Sequence, residues 1–101
     1  AVLNCAPAGS HDCRSKYTAR GINYFALDGC EDVPGYDLFG LHLDDAVAFI
    51  RAETSGVKSS GRVLVHCYAG SNRSATFAIA YLLLTTHEPL ERLLARCFSL
   101  R

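Results

Sequence analysis

The nine residues His66-Cys67-Tyr68-Ala69-Gly70-Ser71-Asn72-Arg73-Ser74 bring a cysteine, a five-residue loop containing glycine, an arginine and a hydroxyl into one short turn. A cysteine with an ordinary pKa of about 8.5 is mostly a thiol at neutral pH, and a helix N-terminus together with a nearby cation lowers that value by several units. The amides of Tyr68, Ala69, Gly70, Ser71 and Asn72, with Arg73, would supply both influences and leave Cys67 as a thiolate inside a ring of N–H donors. Gly70 permits the crowded backbone that such a ring demands. Arg73 would close it with a planar fork for two oxygens of a tetrahedral dianion. The chemistry that fits is phosphoryl transfer to sulfur, followed by hydrolysis of the cysteinyl-phosphate. Ser74 would donate a hydrogen bond to the departing sulfur, and the ring of His66 would bond loop carbonyls. Because the amides and Arg73 neutralise the transferring charge, neither a metal nor another cofactor is expected.

Such a loop works only if a strand delivers Cys67 and a helix receives Arg73. Arg62-Val63-Leu64-Val65 is short, apolar and β-branched, so it reads as a buried strand ending at His66. Residues 75–84 contain neither Gly nor Pro and repeat apolar groups at helical spacing, as in a core helix. Upstream, residues 1–5 open on the strand-like Val2-Leu3-Asn4 and lead into a turn at 7–9. Ser10 is expected to cap a short helix running through Arg20, with Gly21 as its stop. Residues 22–27 read as a second strand and 28–35 as a loop. Leu43, Val47 and Ile50 then recur at helical spacing in a helix from about Leu41 to Glu53, with Asp44 and Asp45 expected in its first turn. A polar link at 56–61 follows, and Pro89 opens a final helix ending at Arg101.

Strands alternating with helices predict an α/β fold, a small, mostly parallel central sheet flanked by helices. Ligands in such sheets bind beyond the carboxyl ends of strands. Cys67 and the 28–35 loop should therefore share one crevice. An alkoxide or phenolate leaves slowly unless it is protonated, so the loop has to supply an acid. The candidates are Asp28, Glu31, Asp32 and Asp37, the last better suited to capping the following helix.

His66-Cys67, Gly70 and Arg73-Ser74 resemble the signature of the cysteine-dependent protein phosphatases, in particular the dual-specificity phosphatases. Val63-Leu64-Val65 before it, Ser74-Ala75-Thr76 and Ala80-Tyr81-Leu82 after it, and Val2-Leu3-Asn4 near the start look like the same family, so the likeness runs along most of the chain. It implies a phosphotyrosine-phosphatase-like fold and a protein phosphatase that acts on phosphotyrosine and on phosphoserine or phosphothreonine. Asp32-Val33-Pro34, followed by Gly35-Tyr36-Asp37-Leu38, resembles the family's acid loop and singles out Asp32, although the loop carries an extra residue on each side. An asparagine on the first strand lies near the signature loop in that family, which implies a supporting role for Asn4. The family normally has structure before the Val2 strand and helices after Arg101, so the domain, residues 1–101, is expected to be reduced or trimmed at both ends.

Half of the 101 residues are hydrophobic and 10 basic side chains balance 10 acidic ones, as in one small globular domain without a charge excess for nucleic acid or membrane. The partner expected is a phosphoprotein. Five cysteines, Cys5, Cys13, Cys30, Cys67 and Cys97, lack the paired spacing of a zinc site and suit a reducing cytoplasmic or nuclear setting. Cys30, or alternatively Cys5, is expected to resolve an oxidised Cys67. Apolar surface exposed by a reduced domain would invite a homodimer. Two other functions compete: an RNA 5′-triphosphatase of the same superfamily, which the neutral charge disfavours, and a non-catalytic phospho-recognition module.

Overall fold

The computed structural model describes residues 1–7, 13–55, 61–68 and 72–99. The expected turn at 7–9, the Ser10 cap, most of the 56–61 link, the loop residues Ala69, Gly70 and Ser71, and Arg101 lie wholly or partly outside them. Three strands, β1 (Val2–Asn4), β2 (Tyr24–Ala26) and β3 (Leu64–His66), alternate with α1 (Arg14–Ala19) and α2 (Leu38–Ser55), and α3 (Arg73–Thr86) and α4 (Leu90–Ser99) follow. The sheet order is β2-β1-β3. Both pairings are parallel, with Leu3 opposite Phe25 on one side and Val65 on the other. The α/β architecture is therefore as expected, and the described sheet is wholly parallel. All three strands are shorter than the apolar runs that announce β2 and β3, because β1 offers only three residues to pair with.

Side-chain alternation assigns a helix to each face. Tyr24 stacks on Tyr17 of α1 with ring centroids 5.4 Å apart, whereas its neighbour Phe25 stacks on Phe49 of α2 at 5.5 Å. The main core lies on the second face, where Leu3, Cys5, Leu27, Cys30, Ala46, Ile50, Cys67 and Phe77 form one cluster. The chain thus leaves β1 toward one face and β3 toward the other, which makes the gap between their carboxyl ends the switch point where ligands bind in open α/β sheets.

Several boundaries move for local reasons. Helix α1 ends as predicted, with Gly21 at φ +70° and the paired bonds Gly21 N–H to Thr18 O and Ile22 N–H to Tyr17 O. Helix α2 starts at Leu38, earlier than its apolar periodicity shows, because Asp37 Oδ1 accepts the Gly40 N–H at 2.9 Å. A Cβ at Gly40 would collide with that carboxylate, which accounts for a glycine inside the helix. Asp44 and Asp45 are consequently beyond the first turn, which contains no acidic residue. Helix α3 runs past its predicted end because Thr85 and Thr86 donate to the carbonyls of Tyr81 and Leu82; it stops at His87, in the left-handed region at φ 59°. Strand β3 is not the buried strand expected: it is a sheet edge and Leu64 is 58% exposed. A largely apolar groove of about 420 Å³ lies along α3 and α4, walled by Phe39, Ile79, Leu83 and Leu94 and reaching Asn72. Among the described residues, no helix is long and apolar enough to cross a membrane.

Candidate active site

β3 ends at His66 and α3 begins at Arg73, so the strand and the helix expected on either side of the Cys67 segment are present. Cys67 is buried and its Sγ lies 3.2 Å from Ser74 Oγ in the first turn of α3. That separation suits a hydrogen bond between sulfur and hydroxyl. The side chain of Tyr68 points outward, 74% exposed. Ala69, Gly70 and Ser71, whose amides would form most of the anion ring, are outside the described residues, as are the carbonyls expected to meet the His66 ring.

Two hydrogen bonds join the downstream end of this loop to the segment after β2. Arg73 Nη1 donates to the carbonyl of Cys30 at 3.2 Å, and Asn72 Nδ2 donates to Asp32 Oδ1 at 2.5 Å. Asn72 precedes α3 without capping it through its side chain. A residue type well suited to capping is instead engaged with the acid loop. Two of the other candidate acids have partners of their own. Asp28 sits 3.9 Å from Arg14 on the α1 side, and Asp37 caps α2.

Asn4 is fully buried at the end of β1. Its Oδ1 accepts the Ala6 N–H and its Nδ2 donates to Tyr24 Oη, both at 2.9 Å, so its amide shapes the turn after β1 and ties it to β2. Two residues absent from the sequence-derived site brace the acid loop. Tyr36 Oη donates to the carbonyl of Gly29 at 2.8 Å and lies 2.6 Å from Nε2 of buried His42, with the two rings stacked. Since the phenol has one proton and the carbonyl can only accept, His42 is the Nε2–H tautomer donating to Tyr36. Their spacing, i to i+6 across a loop–helix junction, carries no periodic signal.

Cys5, Cys30 and Cys67 meet in the core beside Arg73. Burial chiefly pushes the Cys5 thiol up to about 12, helped by the neighbouring Cys30 and Cys67 and opposed by Arg73. Burial also raises Cys30, again against Arg73, with Asp32 and Cys67 adding to the rise. A buried thiol whose proton is held this firmly is a poor nucleophile.

The description "Dual specificity phosphatase, catalytic domain" matches residues 1–95. The chain belongs to the dual specificity phosphatase family. Human dual specificity protein phosphatase 26 is 35% identical over 86 residues, covering 85% of this chain and 39% of that protein. A Dictyostelium discoideum relative, MAP kinase phosphatase with leucine-rich repeats protein 3, is 40% identical over 72 residues, 71% of this chain and 8% of its own length. Human dual specificity protein phosphatase 12 is 44% identical over 62 residues, 60% of this chain and 17% of its own. The chain thus spans about two fifths of the length of the dual specificity phosphatase 26 relatives. The dual specificity phosphatase match includes β1, the acid loop, β3 and the Cys67 loop.

Proposed function

We propose that this protein hydrolyses phosphotyrosine and phosphoserine or phosphothreonine in proteins through a cysteinyl-phosphate on Cys67. The observation that carries the reading is the 3.2 Å approach of Cys67 Sγ to Ser74 Oγ at the start of α3, with Arg73 in the same helical turn. In the first step the thiolate attacks phosphorus, the ester P–O bond breaks, and Asp32 gives its proton to the leaving oxygen. In the second, water attacks the phosphorus, Asp32 takes the water's proton, and the S–P bond breaks as the Ser74 hydroxyl donates to the departing thiolate. Arg73 spends Nη1 on the Cys30 carbonyl, and in this reading the edge formed by Nε and Nη2 takes two phosphoryl oxygens. The loop amides take the remaining negative charge. Family membership and the relatives' names support a protein substrate. The odd cysteine count favours a reducing compartment, cytoplasmic or nuclear.

The test is turnover of matched phosphotyrosine and phosphothreonine peptides, with rapid acid quench to trap phosphate on Cys67. Hydrolysis of both peptides with a trapped phosphocysteine is expected. Tight binding of the peptides without release of phosphate would make the site a recognition module.

A further inference from the structure

The apolar groove along α3 and α4 is continuous with the candidate active site. Ala75, Ile79 and Leu83 recur at intervals of four along α3 and so share its groove-facing side, with Phe39 of α2 and Leu94 of α4 as the other walls. Asn72 belongs to both places, since it lines the groove and donates to Asp32. A chain running from the phosphate site into the groove therefore crosses Asn72. From Ala75 to Leu83 the helix rises about 12 Å, at about 1.5 Å per residue. An extended peptide advances about 3.4 Å per residue and turns alternate side chains to one face. Laid from the phosphate site along α3, it points its phosphoresidue and the second and fourth residues from it toward the protein, the last two over the groove.

The lining decides what those two residues are. None of the residues that line the groove is charged, and Phe39 leaves half of its surface to solvent. The volume of about 420 Å³ is that of a site that encloses a few large side chains. An apolar concavity of this kind takes apolar groups and gains nothing from polar ones. A second copy of the chain seated along the groove would cover Asn72 and Asp32 and close the site to a protein substrate, whereas a substrate reaches groove and site together.

We propose that the groove is a specificity site for the phosphoprotein, taking large apolar side chains at the second and fourth positions from the phosphoresidue on one flank. The proposal rests on the reading of the Cys67 loop as the phosphate site. Its substrates are then phosphorylated segments that lie extended and carry an apolar stripe beside the phosphate. Contacts in the groove lie away from the reacting atoms and are the same in bound substrate and transition state, so they lower KM and leave kcat nearly unchanged.

The experiment uses phosphotyrosine peptides of equal charge with either leucine or serine at those two positions, on the N-terminal flank in one pair and on the C-terminal flank in the other. For one pair the leucine peptide should have the higher kcat/KM by roughly tenfold or more, through KM. Phe39→Ser and Ile79→Gln should each cut that preference to about threefold or less while hydrolysing para-nitrophenyl phosphate, which has no flanks, as the wild type does. The exposed Phe39→Ser decides alone if Ile79→Gln does not fold. Equal kcat/KM for all four peptides, or a preference that the variants keep, would overturn the proposal. A dimer in sedimentation velocity that Phe39→Ser dissociates would also overturn it, because a second copy would then fill the groove. Fluorescence polarisation of the same peptides, labelled with fluorescein, reads binding without turnover. A leucine preference in binding by a protein that hydrolyses no phosphate ester would retire the phosphatase reading alone, and turnover without the preference would retire this proposal alone.

Discussion

Asn72 donates its side-chain amide to Asp32 at 2.5 Å, across the gap between the loop that carries Cys67 and the loop that carries the proposed acid. The bond holds the carboxyl group beside the segment proposed to bind phosphate. Asn72→Ala should lower kcat on phosphothreonine peptides by roughly tenfold, less than removal of the acid itself, while leaving KM almost unchanged. A rise in KM at constant kcat would show that Asn72 serves binding instead.

Asp32→Asn should slow hydrolysis of phosphotyrosine and phosphothreonine peptides by about a hundredfold or more. Formation of the cysteinyl-phosphate should suffer much less with an aryl phosphate whose leaving group has a low pKa, and the basic limb of the pH–rate profile should flatten. Equal losses for good and poor leaving groups would indicate a damaged loop, and no loss would move the role to Glu31 or Asp28.

Cys67→Ser should abolish turnover while keeping the fold and vanadate binding, and Arg73→Lys should also fail because a point charge cannot hold two oxygens as a fork does. Steady-state kinetics and vanadate titration check both. Near-wild-type kcat/KM in Arg73→Lys would make Arg73 a scaffold residue.

Tyr36→Phe removes the hydroxyl that links Gly29 to His42. It should destabilise the protein, because buried His42 loses its acceptor. It should also reduce kcat more than it changes KM by loosening the acid loop. Urea unfolding and peptide kinetics measure the two effects separately.

The Cys5 thiol sets a pH dependence of stability. In the unfolded chain it ionises in the ordinary thiol range, just below pH 9, while in the fold burial holds the proton until about 12. The unfolded state therefore loses its proton first, and stability present below pH 9 is lost as pH rises through that interval. Cys30, also raised, acts with the same sign. Urea midpoints measured from pH 8 to 11 should fall, and fall less steeply in Cys5→Ala. Identical slopes would mean that other groups control alkaline unfolding.

The strand before Cys67 and the helix after it were legible because the proposed chemistry confines a cysteine, a glycine and an arginine to a few consecutive residues between them. The parallel sheet was legible too, from three apolar runs separated by helical ones. Strand lengths were not, since β2 and β3 are bounded by what β1 can pair with, and that is a property of the sheet. The start of α2 was misplaced because apolar spacing begins after the cap, and the Asp37–Gly40 bond lies outside the periodic stretch. Tyr36 and His42 escaped notice since a hydrogen-bonded pair across a loop leaves no repeat. The exposure of Leu64 was equally invisible, because an edge strand and a central one share the same apolar composition.

The order β2-β1-β3 also governs how the site comes into being. Among the described residues, pairing β1 with β2 closes a loop containing α1, whereas pairing β1 with β3 closes a longer one that contains α1, β2 and α2. The larger closure costs more chain entropy before any contact repays it. The first βαβ unit can therefore gather early from local contacts, and the docking of β3 is the late, non-local event that brings Cys67 beside the rest of its site. On this topology the docking of β3 is expected last on folding, and turnover by the proposed site should return after the helical signal in a refolding trace.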